Sequence, residues 1–479
     1  MRSVKLGLVV ILLGILGVAC KRLNISPLFE TKVENSDVNN WIYAKMKEYY
    51  LWEDDMIDVT KTDLTLAPDD YFKSLLVEPG VVDRFSWIEE SSEELRNSLN
   101  GITSTYGIKT QALRANNSQN VSRIILSVAY VVKNSVAERK GLKRGDIITK
   151  VNGQDLTNQN YNSALRDSES ATVTLGTYNK GYIDDTEVTI EMTKEVTQSN
   201  ALQHYSIIEL ANKKIGYFVY TQFLTSNDND LNKMFGEFKS SGINELVVDL
   251  RFNPGGYISS AELLSSLIVK NLDENKVMTR QIWNAEQTEE RIRQYGSGVF
   301  DTYFFKSRSG IGNINNLGNL DRVYFLVSNG SASASELLIN NLKPFMDVIL
   351  IGQHTYGKSV GSITIDDDQD PKRWSWGMQP IVLRSVNYLG EADYGTPDGF
   401  KPDVEVVDNI IPYKPFGDPD ETYLFKALED ILGSDTMATL RKGAKVRPSA
   451  VLEPVQMDYV SDNPLNDRKE MWTELTPNK

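Results

Sequence analysis

The chain has 479 residues, 41% of them hydrophobic and 24% charged, with a formal net charge of -14. That length exceeds one ordinary domain and suits two to four, and the composition is that of a globular protein with a buried core. The acidic balance argues against nucleic acid as a partner, and a single cysteine rules out an intramolecular disulfide.

Arg2 and Lys5 precede an apolar run from Leu6 to Val18, followed by Ala19 and Cys20. A charged start, a short apolar core and small residues at the end describe a secretory signal over 1–19. The core is too short for a comfortable membrane span, which needs about 20 residues. Leu16-Gly17-Val18-Ala19-Cys20 resembles a bacterial lipobox, although Gly17 stands where that motif usually has Leu. The resemblance implies lipidation at Cys20 and an exported protein of the bacterial cell envelope, periplasmic or outer-membrane associated. The anchored chain would carry a net charge of -16, having lost Arg2 and Lys5 with the signal. Residues 20–35 then read as a lipidated tether.

From Ser36, Trp41, Ile42, Lys45, Met46 and Tyr49 recur at helical spacing. Pro68 and Asp69 open a second helix with Tyr71, Phe72, Leu75 and Leu76 inward, and a third is expected near 91–99. Residues 36–102 are thus a small helical N-terminal domain, a candidate for homodimerisation. Between 103 and 195 the texture is β-rich. Val136 to Lys140 predicts a short helix ending at Gly141; Gly145-Asp146 makes a turn, Ile147–Val151 a strand, and Asn152-Gly153 another turn. This succession resembles a PDZ domain, a fold that binds extended peptides by strand addition and captures C-terminal carboxylates in a backbone nest. Tyr106-Gly107-Ile108 is a candidate for its peptide-facing part.

Over 200–405 strands at Ile215–Tyr220, Glu245–Leu250, Val323–Val327 and Asp347–Gly352 alternate with helices at Ile258–Val269 and Ala334–Phe345. That pattern predicts an α/β core with parallel pairing. The remainder, 406–479, carries one helix near Glu421–Leu432 and then a polar, proline-containing stretch in which little order is expected.

Three segments carry chemistry. Ser328-Asn329-Gly330-Ser331-Ala332-Ser333-Ala334-Ser335-Glu336 joins a strand end to an amphipathic helix. A serine there is either a helix cap or a nucleophile whose neighbouring N–H groups stabilise negative charge. Asn253-Pro254-Gly255-Gly256 follows another strand; its glycine pair lets backbone N–H groups approach a ligand, or simply makes a turn. Gly352 to Ser359 matches the phosphate-binding pattern G-x-x-x-x-G-K-[ST]. The residues after Lys358, Val360-Gly361-Ser362-Ile363, are β-branched and glycine-broken, so the helix that a phosphate loop requires is missing. Asp366-Asp367-Asp368-Gln369-Asp370 lacks the glycine and terminal glutamate of a calcium loop and reads as a solvated acidic turn. No zinc pattern occurs.

Taken in order, the segments resemble the C-terminal processing (tail-specific) serine peptidases. The resemblance implies a multidomain α/β protein: a crotonase/ClpP-like protease core with an inserted, β-rich PDZ domain and a small helical N-terminal domain. It implies Ser333 as nucleophile, Lys358 as base, backbone N–H groups of Ala334, Gly255 and Gly256 as the oxyanion hole, and no cofactor. Its substrates would be polypeptides with exposed C-terminal tails. The composition independently favours lysine, because the only histidines are His204 and His354. Lysine is neutral near pH 7 only if its pKa falls from about 10.4, a cost of roughly 4.6 kcal/mol. Complete burial supplies that, provided that no carboxylate stands beside the amine. The family often carries a glutamine a turn after the lysine; Ser362 or Gly361 holds that place here, so either Ser362 orients Lys358 or the site is weakened. The alternative is a binding lipoprotein on the same fold that has lost catalysis.

Overall fold

The computed structural model describes residues 34–442, 449–455 and 459–475. Cys20 and the segment expected to be a signal lie outside the described residues. Among those described, no helix is long and apolar enough to cross a membrane.

The core sheet runs in the order Leu202–Leu210, Lys213–Tyr220, Glu245–Asp249, Arg322–Val327, Asp347–Gly352, Val404–Glu405. The first pair is antiparallel and the rest are parallel. Alternate side chains of these strands go to opposite faces. Phe218, Tyr220, Val248, Val323 and Phe325 join the apolar cluster that contains Trp41, Ile42, Met46, Tyr71 and Phe72 of the N-terminal helices. Tyr217, Val219, Val247, Tyr324 and Leu326 join a second cluster with Leu113, Ile125 and Ile147 of the β-rich module and Leu424 and Leu428 of the helix Thr422–Leu432. Both faces are covered, which is why these strands read as nearly continuous apolar runs.

The helices expected in the N-terminal region form at Asn35–Tyr49, Pro68–Leu75 and Ser92–Leu99. Proline opens the second at the position where its missing N–H costs nothing, and Ser91 Oγ caps the third by accepting from Glu94 N–H. The β-rich module has its own apolar core, built on Ile108–Asn116, Ser122–Val131, Ile147–Val151, Ser170–Asn179 and Tyr182–Thr193. Its short helix, Val136–Arg139, and the strand at Ile147–Val151 stand where the sequence places them.

One expectation fails. The stretch after 449 is ordered wherever it is described. Glu453–Pro454 and Val460–Ser461 pair antiparallel with Ile108–Asn116. Glu470–Trp472 then enters a second sheet, between Gly255–Tyr257 and Val360–Ser362. Its order comes from strand edges supplied by two other parts of the chain, and these leave no trace in the local sequence.

Candidate active site

The serine loop is bolted to the turn after Glu245–Asp249. Ser328 Oγ donates to Arg251 O at 2.6 Å, Ser331 Oγ to Leu250 O at 2.8 Å and Ser335 Oγ to Asn253 O at 3.0 Å. Each of these hydroxyls holds backbone. Ser333 differs: it is wholly buried, and its Oγ, although in capping-box position over the Glu336 N–H, makes no hydrogen bond of good geometry and holds no backbone carbonyl. Its backbone lies at φ 64°, ψ -112° at the entrance to the helix Ala334–Leu342. A non-glycine residue held in that region stores strain of about 1–3 kcal/mol. Ser333 is the N-cap of that helix, but the strain, and a buried hydroxyl that no carbonyl engages, set it apart from a serine that merely caps.

One carboxylate organises both halves of the site. Glu336 Oε2 accepts the Ser333 N–H at 2.7 Å and the Lys358 N–H at 2.9 Å, while Oε1 accepts Thr355 Oγ1 at 2.5 Å and the Gly357 N–H at 2.7 Å. Burial pushes Glu336 up to about 7, and the four donors oppose that rise. Three of the four donors are backbone N–H groups, which only an acceptor satisfies, so the arrangement favours the ionised form. Sequence reasoning assigned no chemical role to Glu336; its position at the third residue of the helix, where a capping glutamate belongs, was the available signal.

Lys358 is fully buried. Burial pushes its ammonium down from the ordinary lysine value, and the Glu470 carboxylate, with Asp83 farther off, pulls it back up. Nζ donates to the Lys469 carbonyl, stands 3.6 Å from Glu470 Oε2 and lies 4.9 Å from the centre of the Phe85 ring. The burial expected of a lysine base is present. The carboxylate-free surroundings are not, and the offending carboxylate comes from the C-terminal segment. A cleft of about 310 Å3, lined by Arg84, Phe85, Tyr356, Arg468, Lys469 and Glu470, opens beside it.

Gly255 and Gly256 sit at φ +113° and +136°, a region that side chains disfavour. A methyl on Gly255 would fall 2.0 Å from the Glu470 carbonyl oxygen and 2.8 Å from Ser333 Cβ, so all three meet around one point. The glycine turn is thus brought against the serine. The Gly255 N–H, however, donates to Asn253 Oδ1 at 2.9 Å, which removes it from the expected oxyanion donors. The Ala334 N–H, first in its helix, makes no hydrogen bond among the described residues. In the parallel register Gly255↔Glu470 the Gly256 N–H faces the Glu470 carbonyl.

Ser362 does not orient the lysine: its hydroxyl donates to the Met471 carbonyl at 3.4 Å. His354 is a loop residue bonded through Nδ1 to the Asp398 carbonyl at 2.8 Å. The acidic turn is tied up by cations, Asp366 with Arg96 and Lys372 and Asp367 with Arg373. Among the described residues no group of three or more His, Cys, Asp or Glu could hold a metal ion.

Comparison with known proteins bears on this arrangement. The model of Peptidase family S41 matches residues 214–406, that of the Peptidase S41 N-terminal domain residues 37–87, and that of a PDZ domain residues 127–175. The chain belongs to peptidase family S41. The S41 match contains the serine loop, the glycine turn and the lysine turn, and the PDZ match falls within the β-rich module. Curated S41 relatives named "Probable CtpA-like serine protease" include one from Staphylococcus aureus, 25% identical over 245 residues, covering 50% of this chain and 43% of the relative. One from Staphylococcus saprophyticus is 25% identical over 242 residues with the same coverage. This chain thus spans under half the length of the curated relatives it matches. Among solved structures, a candidate S41 protease from Bacteroides fragilis is 26% identical with a TM-score of 0.67, covering 82% of this chain and 97% of that one. The S41 relatives named are serine proteases, and the fold expected from the sequence is the fold of this family.

Proposed function

We propose that the chain is a serine endopeptidase that cleaves polypeptides near their C-termini, with Ser333 as nucleophile and Lys358 as its base. The observation that carries this reading is the pairing of a strained, buried, unpartnered serine hydroxyl with a fully buried lysine on two turns held by the single carboxylate of Glu336. Neutral Lys358 takes the Ser333 proton as Oγ attacks the peptide carbonyl. The N–H groups of Ala334 and Gly256 receive the oxyanion, and the protonated lysine returns its proton to the leaving amine. Water, activated by Lys358, then hydrolyses the acyl-enzyme. The PDZ module holds the substrate's C-terminal tail as an added strand. The lipobox-like Cys20 supports placement of the enzyme at a bacterial envelope, anchored by lipid.

The test is cleavage of an unfolded substrate with an apolar C-terminus by the parent, Ser333→Ala and Lys358→Ala, each shown to be folded by circular dichroism. Cleavage by the parent alone is the expected result. A parent that binds the tail without cutting it would instead be a peptide-binding lipoprotein, the reading favoured by the absence of a glutamine at Ser362. Labelling with palmitate, lost in Cys20→Ala, tests the anchor.

A further inference from the structure

We infer that residues 459–473 are an internal peptide ligand, occupying the PDZ edge with Asp462 and the catalytic cleft with Lys469–Trp472, and that a substrate enters only by displacing them. The inference rests on the proposed peptidase reading for the cleft, and on strand pairing and the Asp462 contacts for the PDZ edge.

At the PDZ edge, Val460 and Ser461 pair antiparallel with Thr110 and Lys109. Earlier in the tail Glu453 and Pro454 cover Arg114 and Leu113 of the same strand. This is strand addition performed by the protein on itself. Where the added strand ends, the Asp462 carboxylate enters the turn Thr105–Ile108. It accepts the Tyr106 N–H at 2.7 Å, Thr105 Oγ1 at 2.7 Å and the Ile108 N–H at 3.4 Å, and is almost fully buried. A chain-terminal carboxylate needs the same backbone donors. Asp462 supplies that chemistry from a side chain, so the tail holds the place of a free C-terminus.

Eight residues after Asp462, at Glu470, the same segment lies in the cleft. The Glu470 N–H donates to the Pro254 carbonyl at 3.0 Å, and Glu470, Met471 and Trp472 pair in parallel with Gly255, Gly256 and Tyr257. On the other side the Thr473 N–H donates to Ser362 O at 3.2 Å, and Lys358 Nζ donates to Lys469 O. The Glu470 carbonyl thus faces the Gly256 N–H where a substrate carbonyl would, and the tail takes up the backbone edge that a scissile chain requires. The side chain follows the backbone into the site: Glu470 Oε2 is buried, makes no hydrogen bond, and faces the Lys358 amine at 3.6 Å. Tyr459, at the head of the segment, donates to Asp408 Oδ2 at 2.6 Å within the buried Arg251 ion cluster, which also takes Arg144 of the PDZ module. One segment therefore touches the PDZ edge, the core and the cleft.

A tethered ligand acts at an effective concentration on the order of millimolar. A competing peptide accordingly binds with an apparent affinity lowered by the fraction of chains whose tail has lifted. A peptide carboxylate that replaces Asp462 in the Tyr106 turn removes one anchor of the segment that also supplies the cleft strand, which couples recognition of a tail to opening of the site.

The test uses the full-length chain with Cys20→Ser and the pair Thr110→Cys and Val460→Cys, whose Cα atoms are strand partners. A disulfide there locks the tail. Binding of a fluorescent decapeptide with a free, apolar C-terminus is read by anisotropy in a Ser333→Ala background, with the C-terminal amide as control, and cleavage is read with Ser333 intact. Oxidation is expected to weaken binding by about tenfold or more and to abolish cleavage, with dithiothreitol restoring both; Asp462→Ala, without the lock, is expected to tighten binding by about tenfold and to speed cleavage. Equal binding and cleavage in the oxidised and reduced forms would overturn the inference. Binding gated by the lock in a chain that never cleaves would sustain the inference for the PDZ edge and sink the peptidase reading. Cleavage indifferent to the lock would do the reverse.

Discussion

Glu336 binds the main chain of Lys358, accepting its N–H at 2.9 Å, while the lysine's amine points away to the Lys469 carbonyl. The carboxylate fixes where the lysine begins and leaves its charge to other groups. Glu336 therefore acts as a positioning residue for both Ser333 and Lys358. Replacing it with glutamine swaps an acceptor oxygen for an amide donor that faces two N–H groups. Unsatisfied buried donors cost about 1–3 kcal/mol each, more at charged partners. Glu336→Gln is expected to lower kcat by about 100-fold with KM changed less than threefold, while Glu336→Asp restores part of kcat. A rise in KM alongside the fall in kcat, with loss of near-ultraviolet dichroism, would mark a purely structural role.

The pH profile follows from what surrounds the amine. Burial pushes Lys358 down and the Glu470 carboxylate pushes it up. A lysine base works only when neutral, so kcat/KM rises with pH through the lysine's pKa. Glu470→Gln removes the group that stabilises the ammonium, so the pKa falls further and the rising limb moves to lower pH. Profiles of kcat/KM for parent and variant check this; a limb that stays put or moves up would mean that Glu470 does not face the working lysine.

The site was legible in part, for a definable reason. Ser333, Lys358 and the glycine turn stand in contiguous segments whose residue types announce a turn, so local sequence shows them. The choice of Ser333 among its neighbours is a matter of hydrogen bonding: Ser328, Ser331 and Ser335 spend their hydroxyls on backbone of the turn after Asp249, a pairing between segments about 80 residues apart. The withdrawal of Gly255 by Asn253 Oδ1 depends on one side-chain rotamer. Least legible was the tail. Lys358 and Lys469 are 111 positions apart, and the strand Glu470–Trp472 is defined by the edges that flank it rather than by its own alternation. The core sheet was legible because its strands, buried on both faces, read as continuous apolar runs separated by helices.

Gly357 is the lysine turn's tightest point. It sits at φ +87°, and a methyl there would fall 1.7 Å from the Thr396 carbonyl oxygen. The atoms that the methyl would meet, Thr396 O and C and Gly399 N, are all backbone, so relief requires the turn itself to move. Gly357→Ala is expected to abolish measurable cleavage and to lower the urea midpoint, whereas Gly390→Ala, at φ +81° with open space around it, is expected to cost about 1 kcal/mol and leave cleavage within twofold. Equal effects of the two substitutions would show that φ alone, and not the close approach, sets the cost.

The buried ion cluster yields the last expectation. Arg251 is fully buried and pairs with Asp249 at 2.6 Å, Asp408 at 3.0 Å and Glu421 at 2.9 Å. Arg144 of the PDZ module reaches the same Glu421 at 2.9 Å. Three carboxylates surrounding two guanidinium groups leave no slack: removing one cation strands acids that water cannot reach. Arg251→Met, similar in length but uncharged, is therefore expected to cost about 3–5 kcal/mol and to unfold the junction between the core and the PDZ module first. Amide hydrogen exchange checks the order of events. Loss of protection should appear at Leu250–Asn253, Arg144 and the start of the helix Thr422–Leu432 before it reaches the N-terminal helices, which pack on the opposite face of the core sheet. Simultaneous loss everywhere would show that the two faces unfold as one unit and that the cluster stabilises the whole chain rather than that junction.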